Sequence, residues 1–362
     1  MERVFNFSAG PSMLPLEVLQ QVQKDLVNYP DAGCSVMEMS HRSPSYDKII
    51  NDALATLRRI MDIPDDYEVL FLQGGATLQF SMVPMNLAGR GDTADYALTG
   101  QFSTKAYKEA QRWCNAVAVT DSKEATYSYI PKITPDMLSK DAKYLHICGN
   151  NTIFGSCYNT LPETGDTPLV CDLSSTILGK VFDVRKFALL YAGAQKNMGP
   201  AGLTVVIMKK ELLDNEVDPL VPAMLRYKDM AEAESMYNTP PTFAIYVAGE
   251  VFKWVESMGG VAAIEKLNTE KANMLYDAID NSVIFNNPVA VEDRSIMNVT
   301  FTLPDEDMTK EFFKMASGRG MINLKGHRSV GGCRASIYNA MPIEGIRALV
   351  ECIRDFEAGK RA

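Results

Sequence analysis

Leu189-Leu190-Tyr191-Ala192-Gly193-Ala194-Gln195-Lys196-Asn197-Met198-Gly199-Pro200-Ala201-Gly202 is an apolar run that breaks into a turn of small residues, and a second apolar run, 203–208, follows it. A lysine between two strand-like runs, with glycines on both sides, is an amine held close to the backbone of something bound. The bland alternative is a lysine that snorkels from a loop to water. Working outward, short apolar runs at 68–72, 96–98, 116–119, 144–147, 169–172 and 188–191 alternate with helix-like stretches such as 77–87 and 104–113. That alternation predicts an α/β fold with a mostly parallel sheet, of the seven-stranded type, covered by helices on both faces. Sites in such sheets open at the carboxyl ends of the strands, where Gln73-Gly74-Gly75, Asp172 and Lys196 all fall.

Asp172 closes the run Leu169-Val170-Cys171 in a setting like that of Lys196. A fixed amine and a fixed carboxylate at neighbouring strand ends suit pyridoxal phosphate: the amine forms the Schiff base and the carboxylate keeps the pyridine nitrogen protonated. Leu173-Ser174-Ser175 follows Asp172, so a turn or N-cap aspartate is the competing reading.

The chain has 362 residues, 46% hydrophobic and 22% charged, which is the balance of a globular enzyme and long enough for two domains. A helical stretch over 243–255 breaks at Gly259-Gly260 and resumes to 279. The division expected is 1–257 for an N-terminal segment and large domain, and 258–362 for a smaller α+β domain with strands near 297–302 and 330–337, a helix over 308–317 and a last helix from 343. A net charge of -9 with dispersed Lys and Arg argues against nucleic acid as a partner. The seven cysteines include no C-x-x-C and no Cys/His grouping, so free thiols in a reducing compartment are expected and no metal. No spanning helix and no export leader are seen, and a cytoplasmic location is expected.

Gln73-Gly74-Gly75-Ala76-Thr77 joins a strand to a helix, as a phosphate cradle does, and as many plain tight turns do. Two of the three histidines occur as His-Arg-Ser, at His41-Arg42-Ser43 and His327-Arg328-Ser329, with Cys333-Arg334 shortly after the second. Cationic forks of this kind on loops suit an acidic, phosphorylated substrate, or else form surface salt bridges. His146, inside an apolar strand, reads as a satisfied core histidine.

Phe5-Asn6-Phe7-Ser8-Ala9-Gly10-Pro11, Met39-Ser40-His41-Arg42-Ser43, Phe71-Leu72-Gln73-Gly74-Gly75-Ala76, Gly193 to Pro200, Tyr237-Asn238-Thr239-Pro240-Pro241 and Gly326 to Gly332, taken in order, closely resemble the phosphoserine aminotransferase family. The resemblance covers essentially the whole chain. It implies the large domain of a fold-type I, class V enzyme, a homodimer with shared active sites, and reversible amino transfer between glutamate and 3-phosphohydroxypyruvate, giving 2-oxoglutarate and phosphoserine. It further implies Lys196 as the Schiff-base lysine, Asp172 as partner of the pyridine nitrogen, and Ala76, Thr77 and Gln195 around the cofactor phosphate. Thr152 falls at the ring hydroxyl, Phe102 on the ring face, and Asn238 and Thr239 at the phosphate bound by the other subunit. Arg42 and Arg334 match residues that hold substrate carboxylate, and His41, His327 and Arg328 match those around the substrate phosphate. Two positions depart from the family's commonest pattern: Phe102 stands where Trp is usual, and Thr77 where Arg is frequent. A related phosphorylated substrate of pyridoxine synthesis is a further family activity. The rival readings are another class V enzyme, such as a cysteine desulfurase with Cys333 as attacking thiol, and a binding protein that has lost catalysis.

Overall fold

A computed structural model describes residues 3–30 and 32–361. In chain order the main elements are β1 (Phe5–Asn6), α1 (Leu16–Asp25), α2 (Pro44–Ile60), β2 (Tyr67–Leu72), α3 (Gly75–Leu87), β3 (Thr93–Leu98), α4 (Gln101–Ala110), β4 (Asn115–Asp121), β5 (Ala142–Cys148), β6 (Leu169–Asp172), β7 (Leu189–Gly193) and β8 (Thr204–Lys209). There follow α5 (Tyr227–Glu232), α6 (Thr242–Ser257), α7 (Gly260–Asp280), β9 (Asn298–Phe301), α8 (Glu306–Gly318), β10 (Met321–Ile322), β11 (Cys333–Ser336) and α9 (Ile343–Arg361).

Seven strands form one sheet in the order β2-β8-β7-β6-β5-β3-β4. Only β8 runs against its neighbours; the other pairings are parallel. The central strands are buried on both faces, which is why they read as near-continuous apolar runs rather than alternating ones. Helix α2 covers one face. It starts with Pro44 at its first position, Ser43 Oγ accepts the Tyr46 N–H at 3.2 Å, and Tyr46, Ile49, Ile50, Ala53 and Leu57 recur on the buried side. Helix α3, on the other face, places Phe80 and Val83 in a core with Tyr191 of β7.

A second core gathers Val299 and Phe301 of β9, Ala335 of β11, Phe312 of α8 and Ile346, Leu349 and Ile353 of α9. Phe7 belongs to it, and β1 pairs in parallel with β10, so the first residues pack with the C-terminal elements rather than with the large sheet. Nothing local in Phe5-Asn6 announces this, because a two-residue strand has no readable period. Helix α7 serves both cores: Val261 and Ile264 join the first, while Ala272, Leu275 and Ile279 join the second. The strand expected over 330–337 is confined to Cys333–Ser336, because Gly331 and Gly332 take φ of +75° and +59° and turn the chain instead. All seven cysteines are free. Among the described residues no helix is long and apolar enough to cross a membrane.

Candidate active site

Lys196 lies just beyond the carboxyl end of β7, in a turn held by its own backbone. The Ala194 N–H donates to Leu203 O at 2.9 Å, and Met198 and Gly199 N–H both donate to Ala194 O, at 3.1 and 2.9 Å. The Gln195 side chain folds back over Gly193, where a Cβ would stand 2.7 Å from Gln195 Oε1. The N-terminal segment braces the same turn. Ser12 N–H donates to Gln195 O at 2.9 Å, and Ser12 Oγ donates to Lys196 O. The Lys196 amine therefore leaves a fixed backbone. Its Nζ donates to Thr152 Oγ1 at 2.8 Å and stands 5.5 Å from the centroid of the Phe102 ring, on the first turn of α4. It does not snorkel outward.

Asp172 ends β6, the strand paired with β7. It is 6% exposed, and its Oδ1 accepts the Ser174 N–H at 2.9 Å. Both sequence readings meet in that contact, because a turn bond aims the carboxylate. Burial pushes the carboxyl up from its ordinary range; the nearby Lys196 charge, and then the Ser174 bonds, oppose the rise. Amine and carboxylate thus sense each other.

Gly74 caps α3 with a φ of +87°, and the first turn of α3 carries no acidic side chain and no side-chain cap. Its leading N–H groups face outward, next to half-buried Ala76 and exposed Thr77. Gln73 Nε2 approaches Asn238 Oδ1 and Thr239 O, each at 3.4 Å. Within one chain, then, Asn238 and Thr239 sit beside the Gly-Gly turn, on an exposed loop.

Arg334, on β11, reaches across from the second core. Its Nη1 lies 3.5 Å from Thr152 O, and its Nε is buried with no partner. Burial holds the guanidinium below its ordinary range. His327 Nδ1 pairs with Ser329 Oγ at 2.7 Å. Burial first, then Arg334, Arg328 and Lys105, keep the imidazole below its usual value, so these cations share one neighbourhood. His41 and Arg42 lie in the turn before α2, and no hydrogen bond or ion pair joins them to the Lys196–Thr152–Arg334 group among the described residues.

Sequence reasoning passed over two residues. Lys105 follows Phe102 by one helical turn and places its Nζ 5.8 Å from the same ring; that i, i+3 spacing was the available signal. Ser12 bonds the Gln195 and Lys196 carbonyls, contacts that no spacing reveals. His146 is in the core as expected, but it is only half satisfied: Nε2 pairs with Tyr191 OH at 2.8 Å while Nδ1 has no partner. A cavity of about 680 Å³ between α2 and α7 lies away from this chemistry, and its cations are taken, Arg59 by Glu256 and Arg185 by Asp62 and Asp183.

A held amine, a buried carboxylate beside it, an uncapped helix N-terminus and an orphaned buried guanidinium N–H together fit pyridoxal phosphate and an anionic substrate. Comparison with known proteins agrees. The sequence profile of the family described as aminotransferase class-V matches residues 4–349. A phosphoserine aminotransferase of Geobacillus kaustophilus (strain HTA426) is 53% identical over 357 residues, 98% of this chain and 99% of that protein. The solved phosphoserine aminotransferase of Bacillus circulans subsp. alkalophilus superposes with a TM-score of 0.96 at 45% identity, over 99% of this chain and 100% of that one. A crystal structure of phosphoserine aminotransferase with bound PLP, from Trichomonas vaginalis, gives a TM-score of 0.92 at 39% identity, over 97% and 100% of the two chains. The chain belongs to the class-V aminotransferases and, within them, to the phosphoserine aminotransferase family.

Proposed function

We propose that this chain moves an amino group reversibly between L-glutamate and 3-phosphohydroxypyruvate, giving 2-oxoglutarate and O-phospho-L-serine, with pyridoxal phosphate as its cofactor. The observation that carries the reading is the joining of Lys196 Nζ and the Arg334 guanidinium through one residue, Thr152. An amine for the chemistry and a fork for a carboxylate thereby share one floor. When bound, pyridoxal phosphate supplies an electron-withdrawing ring that stabilises negative charge at the substrate α-carbon.

The chain's own residues do the rest. Asp172 holds a proton on the pyridine nitrogen, a task suited to a carboxylate shielded from water. Ala76, Thr77 and Gln195, at the N-terminus of α3 and in the Lys196 turn, would hold the cofactor phosphate, while Phe102 and Thr152 would hold its ring. Lys196 Nζ would take the proton from the substrate α-carbon, and Thr152 Oγ1, 2.8 Å away, would help to keep it in place. Arg334 and Arg42 hold the α-carboxylate, and His41, His327 and Arg328 hold the distal group, whether carboxylate or phosphate. Asn238 and Thr239 complete the phosphate site of a second copy in a homodimer; their exposure beside Gln73 supports this. We assign residues 258–362 to a smaller C-terminal domain and the protein to the cytoplasm.

Cys333 argues against a desulfurase: it is 2% exposed on β11, and burial pushes its thiol well up, so a nucleophilic thiolate is disfavoured. The test is a half-reaction assay that follows cofactor absorbance with phosphoserine, alanine and cysteine in turn. Phosphoserine should convert the cofactor fastest. Equal or faster conversion by alanine or cysteine would overturn the assignment.

A further inference from the structure

Lys271 sits in the middle of α7, where that helix passes from the first core to the second, and it is 0% exposed. A lysine inside a protein normally has a carboxylate partner. This one has three carbonyls instead: its Nζ donates to Ile337 O at 3.1 Å, Tyr338 O at 2.9 Å and Met341 O at 3.0 Å. Three donors meet three acceptors, which is the full valence of an ammonium group. Burial without a counter-charge lowers the amine to about 7. If fold stability were all that this position had to supply, an apolar side chain would do it at lower desolvation cost.

The three carbonyls belong to segment 337–341, the link between β11 and α9. That segment grips the Lys196 turn from two sides. On one side the Asn339 N–H donates to Asn197 Oδ1 at 3.1 Å, and Asn197 is the residue after Lys196. The Asn339 side chain donates to Leu178 O at 2.9 Å and accepts from Asn268, one turn before Lys271, at 2.8 Å. On the other side Tyr338 OH donates to Ala9 O at 2.9 Å. Ala9 precedes Gly10, which lies so close to Lys196 that a Cβ there would come 3.4 Å from Lys196 Cγ, and Ser12 bonds the Gln195 and Lys196 carbonyls. The strand that carries Arg334 runs directly into Ile337.

We propose that Lys271 is a positioning residue for the reaction: its ammonium fixes segment 337–341, and that segment holds the Lys196 turn and the Arg334 strand in register with each other. The inference rests on the aminotransferase reading given above, and its test separates the two. In the cofactor-loaded enzyme, Lys271→Met should lower kcat by about tenfold or more, because small displacements of reacting groups cost rate steeply. The KM for glutamate should rise as well, but by a smaller factor than kcat falls, because the Arg334 strand shifts together with the Lys196 turn. The pH at which the bound cofactor changes absorbance should shift, and that shift reads the surroundings of Lys196 without turnover. Asn197→Ala cuts the same link from the other end, so its effect on kcat and that of Lys271→Met should fall well short of additive. A variant with a lower Tm but with kcat and the absorbance titration of the wild type would overturn the proposal, and so would additive losses. If Lys271→Met does not fold, Asn197→Ala alone decides, and wild-type kcat and titration in that variant would overturn it. Should the wild-type protein neither bind pyridoxal phosphate nor turn over phosphoserine, the functional reading itself has failed.

Discussion

The turn carrying Lys196 and the loop carrying His327 and Arg328 are built by opposite means. Around Lys196 the backbone is bonded to Leu203, to Ser12 and within the turn itself, and the neighbouring Asn197 is bonded to segment 337–341. The His327 loop is tied mainly to itself: Val330 and Gly331 N–H donate to His327 O at 2.9 and 2.8 Å, and Gly326 N–H to Gly332 O at 2.9 Å. Arg328 and Ser329 are exposed. The contrast teaches a division of labour. A proton transfer needs reacting atoms placed to within a fraction of an ångström, whereas a phosphate can be held by charges that fall off slowly with distance. On the function proposed above, the rigid side of the site serves the cofactor and the loose side the substrate's far end.

The strongest way to break this comparison is at its rigid side. Lys196→Ala should lower the single-turnover rate with glutamate by more than about 10³-fold, since it removes both the attachment point and the proton carrier. A loss below tenfold would mean that the held amine is not the catalytic base. The next test sets the two sides against each other. Arg334→Ala should cost about 10²-fold in kcat/KM for both amino donors, because it deletes a half-buried fork that the proposed function has the two α-carboxylates share. His327→Ala should cost only about tenfold, mainly for the phosphorylated substrate, and should leave Tm unchanged, as befits a loop group near the surface. Equal losses for glutamate and phosphoserine in His327→Ala would erase the distinction drawn between the two regions.

The smallest effect concerns stability. Asp172 has a folded-state pKa above its ordinary value, so the folded protein binds more protons than the unfolded chain from the ordinary carboxylate range upward. Over that window stability falls as pH rises, and at neutral pH the buried charge is a net cost. Asp172→Asn should therefore raise the Tm of the cofactor-free protein at pH 7 by on the order of 2 °C, with the gain vanishing as pH falls to the ordinary carboxylate range, while activity collapses. A lower Tm at pH 7 would show that Lys196 compensates the carboxylate in full.

The reading from sequence reached far where the signal was local. Lys196 and Asp172 stood out because a charge at the end of an apolar run is a local anomaly. The glycines around Lys196 mark its turn, and Gly202 takes a φ of +113°. The His-Arg-Ser loops were found, but their geometry was not. His327 shares one field with Arg334 and Lys105, while no hydrogen bond or ion pair joins His41 or Arg42 to the Lys196 group among the described residues. Lys271 escaped altogether, since in α7 it reads as one more lysine among Glu265, Lys266 and Glu270.

By itself, then, the sequence determined the class of fold and singled out an amine and a carboxylate at strand ends and a set of loop cations. All of these rest on residue type and on the pattern of short apolar runs. Only the tertiary structure decided that β1 pairs with β10, that β8 alone runs antiparallel, that Thr152 joins Lys196 to Arg334, and that a buried ammonium in α7 stands behind them. Those contacts link residues far apart in the chain, and apart from the Thr152 hydroxyl that meets Lys196 they use backbone groups, which every residue carries. No residue type announces them.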